Sequence, residues 1–233
     1  MSESLEKVRE VRELPLFPLP LVVFPGVPLP LHIFEPRYRQ MLKDVRAGNG
    51  MFGVSYFDVS KTDIDRPPVG HVGCACEIAE VQPLPDGRSN VLTVGIVRYR
   101  VESYVDRDDP YLVGEVSFFE DAPGDDEQLK NRARAVTDLF ERIARAVRTI
   151  NDERASLPQL PETEPERLSF LVAAAMEMDM EIKQELLEVE STDERLIRIH
   201  NLLSQAVESY EGRARIHGIA KKNGHSGQKL DLE

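Results

Sequence analysis

Residues 14–42 read LPLFPLPLVVFPGVPLPLHIFEPRYRQML and combine dense apolar residues with a proline every few positions. Proline lacks a backbone N–H, so within sheets it is confined to edge strands, strand starts and bulges. The stretch therefore predicts short strands that meet at a tight turn, Pro25-Gly26. From Glu35 onward the apolar residues recur three or four positions apart, which predicts a helix with Pro36 in its first turn.

The sequence up to about residue 120 continues as short apolar segments separated by turn residues. The strongest of these turns is Asp86-Gly87, a dipeptide typical of a β-hairpin. Strands at this spacing, with turn chemistry between them, favour a small β-barrel over a βαβ sheet. The predicted strands cover residues 51–57, 69–83, 90–104 and 111–119.

The pattern becomes helical after residue 121. Two pairs with capping-box spacing, Thr163 with Glu166 and Ser191 with Glu194, predict the starts of two helices. A shorter helix is predicted over 181–188, and residues 151–162 are predicted to form a loop. The first helix carries an apolar stripe made of Leu129, Val136, Phe140, Ile143, Val147 and Ile150.

The overall composition excludes several classes of function. With 29 basic and 41 acidic residues the formal net charge is −12, which disfavours general binding to nucleic acid or to anionic membranes. No apolar run approaches the roughly 18 to 20 residues that span a bilayer. The polar start MSESLEKVREVRE is not a signal peptide, and two cysteines fit a reducing compartment, so we expect a cytoplasmic protein.

Four segments resemble the N-terminal domain of the Lon protease family. Residues 14–42 resemble its opening strand, FPG turn, second strand and short helix. VQPLPDGRSNVLTVGIVRYRV at 81–101 is similar to its hairpin, and YLVGEVSFFED at 111–121 is similar to the strand that follows. KQELLEVESTDERLIRIHNLL at 183–203 resembles its late helical pair.

The resemblance implies an α+β protein in which a PUA-like β-barrel is followed by a helical bundle. We accordingly expect a barrel domain over residues 1–121, a helical bundle domain over 122–220 and a mobile tail over 221–233. In the family an ATPase and a protease come after this region. A P-loop requires a Gly-Lys dipeptide, and the chain contains none. The resemblance therefore implies a standalone substrate-binding domain without the ATPase and the protease, and we expect no catalytic activity and no cofactor.

One candidate metal site is a cluster of His71, Cys74 and Cys76. A structural zinc ion normally takes four ligands, and no second cysteine pair exists. Cys74 and Cys76 share one face of a predicted strand, so we expect them to fill the barrel interior rather than to bind metal. An extended strand also does not offer the geometry of a disulfide between them.

For other polar or soft side chains we favour a structural interpretation over a functional one. His32 lacks an identifiable catalytic partner, and we expect a buried or partly buried structural histidine. Arg98 and Arg100 share a strand face and are expected to be solvated and paired with acids, with anion binding as the alternative. Met176, Met178 and Met180 are expected to fill core and loop positions, with a soft peptide-binding surface as the alternative.

The resemblance favours a protein-binding module that recognises unfolded or specific polypeptides, with the proteolysis machinery as a further partner. Exposed apolar side chains on a rigid barrel suit this function. Binding of RNA is an alternative by analogy with other PUA-like barrels, and a ligand-binding enzyme that uses His32 or His71 is another. No catalytic residue is predicted, and the sequence makes no prediction of the oligomeric state. The candidate binding residues are those of the proline-rich turn: Phe24, Pro25, Gly26, Val27 and Leu29.

Overall fold

The computed structural model describes residues 2–61, 64–152 and 163–223. In these ranges the chain forms a six-stranded mixed sheet and six α-helices, an α+β fold. The strands are β1 Glu13–Leu19, β2 Pro28–Ile33, β3 Met51–Tyr56, β4 Val72–Pro83, β5 Ser89–Tyr104 and β6 Leu112–Phe119. The helices are α1 Glu3–Lys7, α2 Pro36–Ala47, α3 Asp126–Ile150, α4 Pro165–Ala175, α5 Met180–Glu188 and α6 Thr192–Asn223.

Strand β1 carries two prolines although it has a neighbour on each side. Its first half pairs with β6 and its second half pairs in parallel with β3, and the two pairings share only Leu16. Pro15 therefore lies where β1 has only β6 beside it, and Pro18 where it has only β3. Each half of the strand is an edge in this sense, which is the setting that tolerates proline.

Strand β5 connects most of the sheet. The strand order is β2-β5-β4-β3-β1-β6, and β6 pairs with β5 as well as with β1, so the pairings return to the strand from which they started. The 16 residues of β5 are long enough for its first half to contact β2 and its second half to contact β6, while β4 pairs along most of its length. Strand β2 is attached to β5 outside this closed set of pairings.

The sheet separates two clusters of buried apolar residues. Neighbouring residues of one strand enter different clusters, as Leu16 and Phe17 do, because side chains alternate across a strand. Helix α2 covers one face with Tyr38, Met41, Leu42 and Val45. Cys74 and Cys76 are buried in the same cluster as α2, as expected for small core residues.

The opposite face of the sheet is built around Tyr99. Its ring is fully buried, its hydroxyl lies 2.7 Å from Ser55 Oγ, and burial raises its pKa above the ordinary tyrosine value. Two glycines make room for the ring. A Cβ placed on Gly73 would lie 2.5 Å from both the tyrosine and the Val54 carbonyl oxygen, and one on Gly53 would lie 2.6 Å from the ring.

Arg98 is buried, which corrects the expectation that it is solvated. It pairs with Asp121, and it donates hydrogen bonds to the carbonyl oxygens of Leu187 at 3.0 Å and Val189 at 2.6 Å. Its guanidinium also lies 4.5 Å from the Phe119 ring centroid. A charge in this setting is tolerated only because its donors are paired. Arg98 therefore fastens the end of α5 to the sheet.

Arg100, unlike Arg98, is solvated and paired with an acid, as the sequence predicts. It lies on the same face of β5, beside the ring of Phe119, and pairs with Glu190 at 2.7 Å while remaining partly exposed. The difference between the two arginines arises from the segment after α5, which covers Arg98 and leaves Arg100 at the rim.

The chain forms two compact units, and they do not follow the predicted domain boundary. The first comprises residues 1–123 and 170–191, and the second comprises 124–169 and 192–233. The predicted division places α5 in a helical bundle domain, whereas its contacts are with the sheet. Besides the bonds of Arg98, Gln184 donates to the Val72 carbonyl at 2.8 Å, and the Ala122 N–H donates to the Glu190 carbonyl at 2.9 Å.

The second unit pairs α3 with α6 in the same chain direction. Arg132 pairs with Asp193 near the start of both helices, and further along Arg142 pairs with Glu211 at 2.8 Å. Val136 is fully buried, but the later part of the predicted apolar stripe is only half-buried. Those half-buried residues are Phe140, Ile143, Val147 and Ile150.

Two of the predicted segments, the loop over 151–162 and the tail over 221–233, lie largely outside the residues that the structure describes. Most of the predicted loop, residues 153–162, lies outside the described ranges. The predicted mobile tail begins inside α6, which extends to Asn223, and residues 224–233 also lie outside those ranges.

We expect Gly73→Ala to lower the free energy of unfolding by about 1 to 3 kcal/mol, the usual cost of overpacking, because the Val54 carbonyl is backbone and cannot move aside. Urea denaturation measures the loss. The matched control is Gly212→Ala in α6, where nothing lies within 4 Å of the added methyl and a gain of up to about 1 kcal/mol is expected. Equal stability of Gly73→Ala and the parent chain would contradict the packing around Tyr99.

We expect Arg98→Ala to lower the free energy of unfolding by about 3 to 5 kcal/mol, because it leaves Asp121 buried without its cation. Arg100→Ala removes the same side chain two residues away on the same strand, and its partly exposed pair should contribute less than about 1 kcal/mol. Denaturation of both variants tests the difference. Similar losses for the two would show that Arg98 is not the anchor of the segment after α5.

Candidate functional site

The predicted turn is tied to β5 by two backbone hydrogen bonds. Gly26 adopts a φ of 79°, a left-handed conformation that favours glycine, and its N–H donates to the Gly95 carbonyl at 2.8 Å. The N–H of Gly95 donates in return to the Val27 carbonyl at 3.0 Å. The turn therefore leads β2 onto β5 in a defined register.

The five residues predicted to bind a partner occupy different environments. Phe24 is completely buried and its ring lies 6.0 Å from that of Phe170, so this side chain belongs to the core and is not available to a partner. Leu29 is half-buried and packs on the cluster beneath α2. Pro25, Gly26 and Val27 are half-buried in the turn. The five residues are near neighbours in sequence, but they do not form one exposed surface, because Phe24 and Leu29 face inward.

Strand β2 separates its residues into an inner and an outer set. Leu29, Leu31 and Ile33 pack against the core, whereas Pro28, Pro30 and His32 are exposed on the other face. This alternation follows from the two-residue period of a strand. Pro30 and His32 lie beside the outward residues of β5 and β4, and together these residues line an open groove of about 370 Å³.

We call this surface the β2 groove. It consists of two rows of residues that run across β2, β5 and β4. The first row contains Pro30, Leu92 and Glu80, and the second contains His32, Asn90 and Gln82. Leu92 is 39% exposed, and Phe34, just beyond the strand, is 57% exposed. Side chains opposite each other in adjacent strands lie about 5 Å apart. The first row is therefore apolar up to Glu80, and the second row beside it is polar throughout.

The second row forms a chain of hydrogen bonds. Asn90 donates through Nδ2 to Gln82 Oε1 at 3.4 Å, and its Oδ1 lies 2.8 Å from His32 Nδ1. Because that oxygen accepts, the neutral imidazole carries its proton on Nδ1, and Nε2 remains an acceptor. The ring of His32 also stacks on Phe34, with centroids 6.1 Å apart. His32 is exposed, contrary to the sequence expectation, and its Nδ1 contacts an amide.

The open edge of β2 lacks two donors. Among the described strands, β2 pairs only with β5. The Val27 carbonyl points to β5, and backbone groups alternate along a strand, so Leu29 and Leu31 also direct theirs to β5. The backbone groups of Pro28 and Pro30 therefore face the open edge, where proline offers no N–H. This arrangement disfavours the addition of another strand.

Sequence reasoning missed Asn90, Leu92, Glu80 and Gln82. One signal for them was present. In SNVLTVG, the apolar Leu92 lies on the same strand face as the polar Asn90. An apolar residue therefore lies on a face whose pattern is typical of solvent exposure. Assigning it to a surface that also contains Pro30 requires the pairing register of three strands, which the sequence alone does not supply.

The other candidate residues take structural positions. His71 is largely buried, its Nε2 has no hydrogen-bond partner in the described part of the chain, and burial lowers its pKa below the ordinary histidine value. Hydrogen bonding to Cys74, together with burial, raises the pKa of the Cys76 thiol, which makes it a poor ligand or nucleophile. Met176 and Met178 lie half-buried between α4 and α5 rather than on a helix.

Two further kinds of feature, a metal site and a membrane span, have no candidate among the described residues. No group of three or more His, Cys, Asp or Glu side chains in those ranges is placed to hold a metal ion. None of the helices in those ranges is long and apolar enough to cross a membrane. A second groove, of about 610 Å³, lies between α3 and α6 within the second unit, where polar side chains such as Gln128 and Asn131 lie beside the apolar Ala135, Leu196 and Ile197.

We expect a Pro28→Val/Pro30→Val variant to self-associate more than the parent chain, because it restores two N–H donors at the open edge. Each new backbone bond contributes about 1 kcal/mol. Sedimentation velocity over a concentration series measures the change, with exposed Pro110→Val, outside the strands, as the control. A variant that sediments like the parent chain would show that the outward direction of these backbone groups is wrong.

Comparison with known proteins identifies the family. Residues 13–205 match the family model of the ATP-dependent protease La (LON) substrate-binding domain. The chain is 26% identical to a Lon protease of Brevibacillus choshinensis over 94% of its own length and 28% of that protein. It is 29% identical to a Lon protease of Solibacter usitatus over 98% of its length and 28% of that protein. The chain thus spans little more than a quarter of these relatives.

Solved structures show the same fold. A Lon N-terminal domain protein from Xanthomonas campestris aligns with a TM-score of 0.60 at 23% identity, covering 81% of this chain and 97% of that one. The N-terminal domain of the Mycobacterium avium complex Lon protease aligns with a TM-score of 0.61 at 19% identity, covering 83% and 98%. Since the family model covers most of the sequence, the chain belongs to the Lon substrate-binding domain family.

Proposed function

We propose that this chain binds polypeptide segments through the β2 groove, as a Lon-type substrate-recognition module. The observation that carries the proposal is the exposure of Leu92 beside Pro30 on paired strands, with the exposed Phe34 just beyond β2, in a family whose model is described as substrate-binding. Apolar side chains held outward on a rigid sheet bind without losing much conformational freedom, which favours association.

The chemistry of the groove is suited to binding rather than to hydrolysis. In the described part of the chain its lining contains no serine, threonine or cysteine, and its one imidazole contacts an amide through Nδ1. Nucleophilic catalysis requires a nucleophile within hydrogen-bond reach of a base. We therefore propose a non-catalytic role for these residues. We also propose that the chain performs this role on its own, without the ATPase and protease of a Lon enzyme.

Unfolded polypeptides are the proposed partners, together with the proteolysis machinery that such a module would supply. An unfolded chain exposes the apolar side chains that fit against Leu92 and Pro30, whereas a folded protein buries them. The groove has one charged residue, Glu80, in its lining, and the chain as a whole is acidic. Both features oppose the binding of nucleic acid.

The closed set of strand pairings supports the proposal that the scaffold is a PUA-like β-barrel. The turn at Pro25, Gly26 and Val27 leads directly into β2, so we propose that a bound segment extends from the groove over Pro25 and Val27. Phe24 and Leu29 would then support this surface from the core rather than contact the partner.

We expect Leu92→Asp to weaken binding of fluorescein-labelled, reduced and carboxymethylated lactalbumin, an unfolded probe, by about tenfold. This is the loss expected when one leucine side chain no longer buries its apolar surface. Fluorescence anisotropy measures the affinity and circular dichroism checks the fold. The matched control is Ile216→Asp, which places the same charge on an exposed isoleucine of α6. A folded Leu92→Asp chain that binds the probe like the parent would place the binding surface elsewhere.

A further inference from the structure

We propose that the β2 groove selects apolar segments that carry a lysine or arginine, with the Glu80 carboxylate as the partner of the cation. This inference rests on the proposed function and adds the class of segment that the groove prefers. It is drawn from the charge and hydrogen-bond state of the groove residues.

Among the residues that the structure describes, Glu80 is the only charged side chain in the lining of the groove. Within the described ranges it has neither an ion pair nor a hydrogen bond, whereas Glu77, the preceding acid on β4, pairs with Lys7 at 3.1 Å. Glu80 is paired across the strands with Leu92, which is paired in turn with Pro30. A free carboxylate therefore lies at the end of an apolar row.

The geometry of that row fits a long cationic side chain. Lysine and arginine carry three or four methylene groups that pack on apolar surface while their charged ends remain solvated. With its stem on Pro30 and Leu92, such a side chain would reach the carboxylate at the far end of the row. An acidic side chain in the same place would meet Glu80 as a like charge.

The second row of the groove provides a second hydrogen-bond acceptor besides the Glu80 carboxylate. In the neutral imidazole, the bond between His32 Nδ1 and Asn90 leaves Nε2 able to accept from a bound donor. The groove thus presents two free acceptor groups, one of them charged, to a segment that lies across it. Lysine and arginine are donors only, so they complement both groups.

Three synthetic twelve-residue peptides test the proposal. They share an apolar sequence and differ at one central position, which is lysine, norleucine or glutamate, and anisotropy measures their affinity for the full chain. Norleucine has nearly the shape of lysine without the charge. We expect lysine to bind about three- to fivefold more tightly than norleucine at low salt, the range for an exposed ion pair, and glutamate to bind most weakly. This preference should shrink in 0.5 M NaCl.

The variant Glu80→Gln should bind the norleucine peptide like the parent chain and lose the preference for lysine. The control Asp108→Asn makes the same change of charge at an exposed position outside the groove and should keep the preference. Equal affinity of the parent for lysine and norleucine peptides, or a preference that survives Glu80→Gln, would overturn this inference and leave the proposed function standing.

Two other outcomes would remove the proposed function as well. One is no binding of any peptide by a folded parent chain. The other is a dimer in sedimentation that Leu92→Asp dissociates, which would assign the groove to a second copy of the chain.

Discussion

The pairing of β5 on both of its edges is the constraint on which the rest of this structure depends. Backbone N–H and C=O groups that leave water must find partners, and one strand of 16 residues supplies them to β2, β4 and β6. Its second half closes the circuit of strands through β6. Its first half holds β2 at the open edge and thereby creates the β2 groove. Closure of the sheet and formation of the candidate site are consequences of the same strand.

The second half of β5 also carries the residues that order the interior. Tyr99 is enclosed by Gly53 and Gly73, and Arg98 holds the segment after α5 through Asp121 and two carbonyl oxygens. A buried guanidinium does not add much stability over an apolar side chain, but it is costly to leave unpaired. Arg98 therefore specifies where the segment must lie, which explains why residues 170–191 belong to the unit of the sheet.

The prolines of the opening segment serve a different purpose on each strand. Pro15 and Pro18 are accommodated because each half of β1 has one neighbour, whereas Pro28 and Pro30 face an edge that remains open. An open edge with its donors would invite pairing with other chains, including the unfolded chains proposed as partners. With two donors removed, the edge is a poor template for pairing, and the proposed binding would use the outer face, where side chains rather than backbone groups would make the contacts. A surface of this kind suits the proposed recognition of many different sequences that share apolar side chains and a lysine or arginine.

Local patterns in the sequence determined the class of the fold and the position of most elements. Alternation, helical spacing and turn dipeptides depend on neighbours within a few residues, so they placed β2, α2 and the hairpin at Asp86-Gly87 correctly. The resemblance of four segments likewise led to the family that the comparisons show. Tertiary structure alone decided which side chains are exposed. Phe24 and Leu92 are both apolar residues of β-rich segments, yet Phe24 is covered by Phe170 and Leu92 remains open. Arg98 and Arg100 differ for the same reason, because burial depends on what packs against a residue from distant parts of the chain, and that information is not contained in any local pattern.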